Sequence, residues 1–123
     1  MCTFLDFSKA FDTVDVEILL KKLNCYGIRG PVNLWFRSYL TNRKQFVSVV
    51  DVCSDVRCVT RGVPQGSILG PVLFLLYIND LHKCCNALKM IQYADDTTLF
   101  TTGSTLESVT GETNTDLSNI CLL

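Results

Sequence analysis

Histidine is nearly absent from this chain of 123 residues: His82 stands alone. One imidazole is too few for the common zinc patterns. No Cys-x-x-Cys pair occurs among the seven cysteines, whose closest spacings are Cys84-Cys85 and Cys53 to Cys58. Their number is odd and too low for a short disulfide scaffold, so free or buried thiols of a reducing, intracellular compartment (nucleus or cytoplasm) are expected. A Cys53–Cys58 disulfide is not expected for the same reason. Charge of one sign is also missing. Eleven Lys and Arg stand against twelve Asp and Glu, for a net charge of −1. Phosphate-binding charge, if the chain handles nucleic acid, must be local or lie on other sequence. The longest apolar run, Val72 to Ile78, has seven residues, against about 20 for a membrane span. No membrane partner is expected, and the start lacks the basic flank and apolar core of a secretory leader. Repeats, low-complexity tracts and the Gly-Lys-Ser/Thr of a Walker loop do not occur.

Apolar residues, in contrast, are plentiful. They make up 48% of the chain, charged residues only 19%, and the mean hydropathy is +0.27. Intrinsic disorder is excluded. The length fits one domain with a core that needs no staple. The low charge suggests surface meant to be covered by more protein. The chain opens directly into an apolar segment and closes without a stop signal, so a piece of a longer protein is expected.

The apolar pattern predicts the elements. Cys2 to Phe7 reads as a strand, followed by a turn over Ser8 to Asp12. Asp15 caps a helix whose stripe is Val16, Leu19, Leu20 and Leu23, ended by Gly27. Pro31 opens a second helix with a core stripe of Val32, Trp35, Phe36, Tyr39 and Leu40. Gln45 to Val50 and Val56 to Thr60 read as strands joined by a turn over Asp51 to Asp55. Arg61 to Gly66 is a loop. Ser67 to Leu81 is apolar all round, which predicts a buried helix with Pro71 in its first turn. Lys89 to Tyr93 and Thr97 to Thr102 are strands around a tight turn at Ala94-Asp95-Asp96. Ser104 to Glu107 carries a capping-box pattern ahead of a last helix with Leu106, Val109, Leu117 and Ile120. The order β-α-α-β-β-α-β-β-α predicts an α+β fold, an antiparallel sheet packed on helices.

Three segments stand out chemically. Tyr93-Ala94-Asp95-Asp96 sets two carboxylates at a hairpin tip between strands that read as mostly buried. Such a turn is common for Asp, but paired like charges there also suit a hard divalent cation. Asp6 lies in an apolar strand, where a lone charge is costly unless paired or metal-bound; an edge or capping carboxylate fits equally well. In the loop from Arg61 to Pro71, glycines permit close approach of a ligand. Gln65 offers donors and an acceptor, and Ser67 opens a helix whose N-terminus attracts anions.

In this order the three segments resemble the palm of reverse transcriptases. Asp6-Phe7-Ser8-Lys9-Ala10-Phe11-Asp12, Gly62-Val63-Pro64-Gln65-Gly66-Ser67-Ile68-Leu69-Gly70-Pro71 running into Tyr77-Ile78-Asn79-Asp80-Leu81, and Tyr93-Ala94-Asp95-Asp96-Thr97 resemble three palm motifs of the non-LTR retrotransposon enzymes. Ser104 to Ile120 resembles the helix of the fourth. The resemblance implies a partial palm subdomain of a right-hand polymerase over residues 1–123, with fingers and thumb on a longer polyprotein. It implies an RNA-directed DNA polymerase acting on an RNA template, a DNA primer and dNTPs. Two Mg²⁺ ions, with Mn²⁺ as substitute, would be held by Asp6, Asp95, Asp96 and the Phe7 carbonyl. Phe11 would be the aromatic gate under the incoming sugar, or core. Gln65 and Gly66 would contact the nucleotide and template, and Arg61 nucleic acid. The alternatives are a group II intron-type enzyme and a catalytically dead remnant acting as a binding module. Gly66-Ser67-Ile68-Leu69-Gly70-Pro71 and Asn79-Asp80-Leu81 favour the retrotransposon. Without fingers cations or thumb, the isolated chain is expected to be inactive.

Overall fold

A computed structural model describes residues 1–121. The elements in chain order are β1 (Cys2–Leu5), α1 (Ala10–Thr13), α2 (Val16–Cys25), α3 (Gly30–Leu40), β2 (Arg43–Gln45), β3 (Ser48–Val49), β4 (Val52–Cys53), β5 (Arg57–Val59), α4 (Leu69–Ile78), a 3₁₀ turn (Leu81–Cys84), β6 (Lys89–Tyr93), β7 (Asp96–Phe100) and α5 (Leu106–Cys121). The fold is α+β with antiparallel sheets. The chain divides into two compact units. One comprises Met1–Ser8 and the segment from Ile78 onward; the other is Lys9–Tyr77.

The first unit is built on a three-stranded sheet of order β1-β7-β6. Leu5 pairs with Thr97 and Thr3 with Leu99; across the other ladder Gln92 pairs with Thr97 and Tyr93 with Asp96. Alternation sends Leu5, Leu99 and Met90 to the inner face. There they pack with Leu81, Leu88, Leu117 and Ile120, joined by Phe7. The outer face, with Phe4, Ile91 and Tyr93, is exposed. The strands are thus half-buried, not mostly buried as their composition predicts. β7 begins at Asp96 and ends at Phe100. Thr101 is drawn instead to Met1, giving its N–H to the Met1 carbonyl. The cap of α5 is Thr105, not the predicted Ser104 box: Thr105 Oγ1 accepts the Ser108 N–H at 3.3 Å.

Asp116 of α5 is 1% exposed. Its carboxylate accepts the N–H groups of Asn86, Ala87 and Leu88 at 2.9–3.1 Å. Burial alone would raise its pKa, but these three donors more than offset it and hold the carboxyl below the usual Asp value. The same buried charge, after burial itself, helps push the Cys85 thiol up. All six cysteines among the described residues with placed side chains are free thiols.

In the second unit, Asp15 caps α2 as predicted, accepting from the Glu17 and Ile18 N–H groups at 2.9 and 3.0 Å. Val16, Leu19, Leu20 and Leu23 are buried. Gly27, at φ 94°, carries the chain out of the helix through a left-handed conformation. Asn33 ties α3 to α2 by donating to the Leu20 and Ile28 carbonyls. Arg37 makes a bidentate pair with Glu17 at 2.5 and 3.0 Å. The rest of the α3 stripe departs from expectation. Only Leu40 is buried, while Val32 and Trp35 are more than half exposed. Trp35 stacks on Tyr39 and meets Phe36 edge-on, so the aromatics cover one another. Helix α4 likewise buries only Gly70, Leu73 and Phe74; Val72 and Leu75 remain about half exposed. Hydropathy shows that a face needs cover, not that this stretch of chain supplies it.

Two more departures are local. Ser8 to Asp12 contains a turn of helix, α1, entered through Lys9 at φ 53°. The predicted single hairpin is interrupted. Gln45 pairs with Arg57 and Ser48 with Cys53, so Phe46 and Val47 face three residues, Ser54 to Val56. This bulge is held by Ser54, whose Oγ accepts the Val47 N–H at 2.9 Å. The turn falls at Val50-Asp51, not Asp51 to Asp55.

Candidate active site

The acidic group belongs to the first unit. Tyr93 and Asp96 close the β6–β7 ladder, so the connecting loop is only Ala94-Asp95. Ala94 sits at φ 54°, the positive value that tight primed hairpin turns require at their first position. Asp6 follows β1 directly. The β1–β7 register, carried one residue past the Leu5–Thr97 pair, sets Asp6 opposite Asp96. Both lie on the outer side of the sheet and are exposed, and Asp95 is half-exposed at the tip. This corrects the sequence reading of Asp6 as a charge inside an apolar strand. It lies one residue beyond the strand, so no burial cost forces it to find a partner. Phe7 alternates inward, its ring on the Leu81, Leu88, Leu99 and Ile120 cluster, which anchors the backbone beside Asp6.

No hydrogen bond or ion pair engages the Asp6, Asp95 or Asp96 carboxylates among the described residues. Unpaired oxygen donors of this kind suit a hard divalent cation in chemistry. In geometry the fit is partial. Register makes neighbours of Asp6 and Asp96, but no group of three His, Cys, Asp or Glu among the described residues stands close enough to enclose an ion.

The remaining sequence-predicted residues lie in the second unit. Phe11 is half-buried, its ring 4.5 Å from that of Phe74 on α4, so it packs in the core whatever else it does. Gln65 donates from Nε2 to Asp12 Oδ1 at 2.9 Å. Gly66 needs its glycine for a φ of 77°, since a Cβ there would meet nothing within 4 Å. Arg61 is exposed. Of the glycines read as openings for a ligand, Gly62 and Gly70 serve internal packing. A Cβ on Gly62 would lie 2.7 Å from Asp12 Cα, and one on Gly70 2.6 Å from the Pro64 carbonyl. Ser67 is bound inward as well. It donates to the Pro64 carbonyl and accepts the Gly70 N–H, capping α4.

A cavity of about 550 Å³ opens beside this loop, lined by Asp12, Arg43, Lys44, Arg61 and Gln65 among others. Arg43 spends its guanidinium on backbone. Nε donates to the Leu40 carbonyl and Nη2 to those of Arg61 and Gly62. No motif or periodicity in the sequence marks Arg43 or Lys44. Asp12 lies within the first motif quoted for the resemblance, and its contact with Gln65 spans 53 positions, beyond the reach of any periodicity.

Comparison with known proteins gives the class of the molecule. The profile of the family described as reverse transcriptase (RNA-dependent DNA polymerase) matches residues 1–119. The chain belongs to that family. It is 36% identical over 104 residues to a probable RNA-directed DNA polymerase from transposon BS of Drosophila melanogaster, a match covering 78% of this chain and 11% of that protein. It is 32% identical over 114 residues to the RNA-directed DNA polymerase from mobile element jockey of the same species, covering 87% and 12%. A Pol polyprotein of retrotransposable element R1 from Bradysia coprophila is 34% identical over 120 residues, covering 95% and 12%. The chain therefore resembles non-LTR retrotransposon enzymes, and it spans little more than a tenth of the length of these relatives.

Proposed function

We propose that this chain is the partial palm of an RNA-directed DNA polymerase, joining deoxynucleotides from dNTPs to a DNA primer on an RNA template. The observation that supports this most is the placement of unpaired Asp6 and Asp96 opposite one another at the sheet end, beside Asp95 in a two-residue turn. Asp6, Asp95 and Asp96, with the Phe7 carbonyl, would hold two Mg²⁺ ions, or Mn²⁺ in their place. Held by these residues, such ions would supply activation of a 3′-hydroxyl and neutralisation of charge on a triphosphate and its leaving group. The inward-packed Phe7 ring fixes the backbone that presents Asp6. Phe11, braced by Phe74, limits space at the sugar and so rejects a 2′-hydroxyl. Gln65 and Gly66 contact nucleotide and template, and Arg61 nucleic acid.

The isolated chain is inactive in this reading. Eleven cations against twelve acids form no basic channel for primer and template. Further cations for a triphosphate, beyond Lys44 and Arg61, and a thumb belong to the longer polyprotein.

The test is primer extension on poly(rA) with Mg²⁺, then Mn²⁺. We expect none from the isolated chain. We expect incorporation when residues 1–119 replace the matched segment of the jockey polymerase, and its loss in the same chimera with Asp95→Ala. Incorporation that survives Asp95→Ala overturns the reading. In the active chimera, Phe11→Val should raise the kcat/KM ratio of ribonucleotide to deoxynucleotide by about tenfold or more; an unchanged ratio assigns Phe11 to the core alone.

A further inference from the structure

The segments that carry Asp12 and Gln65 are joined by more than the side-chain bond between them. The Val63 N–H donates to the Phe11 carbonyl at 2.8 Å and the Gly62 N–H to the Val14 carbonyl at 2.7 Å. Gly62 admits this approach only because it lacks a Cβ. Arg43 clamps the other side of the loop through the Arg61 and Gly62 carbonyls. The backbone on both sides of the Asp12–Gln65 contact is thus fixed, and the contact inherits that order.

An ionised carboxylate only accepts hydrogen bonds, whereas a glutamine amide has one donating and one accepting end. Beside Asp12, Gln65 has one favourable orientation, Nε2 toward the carboxylate and Oε1 away from it. Without Asp12 the two flips differ little. We propose that Asp12 is a positioning residue that fixes the sense of the Gln65 amide, so that Gln65 presents its carbonyl oxygen to a ligand in the adjoining cavity. That oxygen selects a hydroxyl or amine hydrogen. Lys44 and Arg61, exposed on the same cavity, suit a phosphate. A nucleotide carries both groups, and in that respect the inference rests on the polymerase reading above.

The test uses the ¹⁵N-labelled 123-residue chain and dTTP as probe. In Asp12→Ala, the Gln65 side-chain amide resonances should move to the values of a free glutamine while the backbone amides of Gly62, Val63 and Gln65 hold their positions. In Asp12→Asn, which keeps the shape, the same resonances should move in the same direction by less. The dTTP Kd should rise about three- to tenfold in Asp12→Ala, the loss of one oriented hydrogen bond, and Asp12→Ala should add nothing in a Gln65→Ala background. A Gln65 amide indifferent to both substitutions overturns the proposal. So does an Asp12→Ala effect on Kd that persists without Gln65. If the unaltered chain binds no dTTP, the nucleotide reading fails by itself, and the amide resonances alone decide the role of Asp12.

Discussion

Thr97 lies at the centre of the first unit's sheet, 1% exposed, and its hydroxyl has no hydrogen-bond partner; neither has Gln92 Nε2 on the residue across the ladder. Burying an unpaired hydroxyl costs ~1–3 kcal/mol. Thr97→Val keeps the shape and removes the cost, so the thermal midpoint should stay level or rise. A loss of more than about 1 kcal/mol would show the hydroxyl to be engaged. Asp116 is the opposite case, a buried charge fully partnered. Asp116→Ala strands the Asn86, Ala87 and Leu88 N–H groups and should cost ~2–4 kcal/mol in a denaturant titration. Because folding lowers this carboxyl's pKa from 3.8, its stabilisation is complete well above that value. It is lost as pH falls through 3.8 toward the lower folded value. Asp116→Asn should flatten that acid limb of the stability curve; an unchanged limb would mean Asp116 is not its source.

At the scale of elements, what the sequence reveals depends on how local the cause is. Helix α2 is legible because its cap, stripe and stop all act within a dozen residues, from Asp15 to Gly27. The sheet strands are legible in place though not in burial, since alternation marks two faces without saying which has cover. The stripes of α3 and α4 mislead for that reason. The bulge in the β2–β5 hairpin is illegible, because Ser54 meets Val47 only once the register has slipped. Asp116 escapes notice too: its donors lie about thirty positions upstream. In the candidate site, Asp6, Asp95 and Asp96 are found through their motifs, whereas Asp12 and Arg43 matter through contacts that only the fold creates. The hairpin carries one local conflict. Val50 sits at φ 54°, a left-handed conformation that a β-branched residue tolerates poorly, and it is 90% exposed. Val50→Gly should therefore stabilise the hairpin by ~1–2 kcal/mol, read as slower amide exchange in β3 and β4. Faster exchange would show that the left-handed turn is not kept in solution.

On the scale of the whole chain, charge is balanced and apolar surface is left open in both units, Phe4 and Tyr93 in one, Trp35 and Val72 in the other. Those features suit a segment spanning about a tenth of its relatives' length. The central claim concerns Asp6, Asp95 and Asp96, and it can be tested without polymerisation, by adding substoichiometric Mn²⁺ to the ¹⁵N-labelled chain. Paramagnetic broadening should fall first on the amides of Asp6, Phe7 and Tyr93 to Thr97, and disappear in Asp6→Asn and in Asp96→Asn. Broadening that begins instead at other acidic positions, such as Asp51 and Asp55, or that survives both substitutions, would contradict the account.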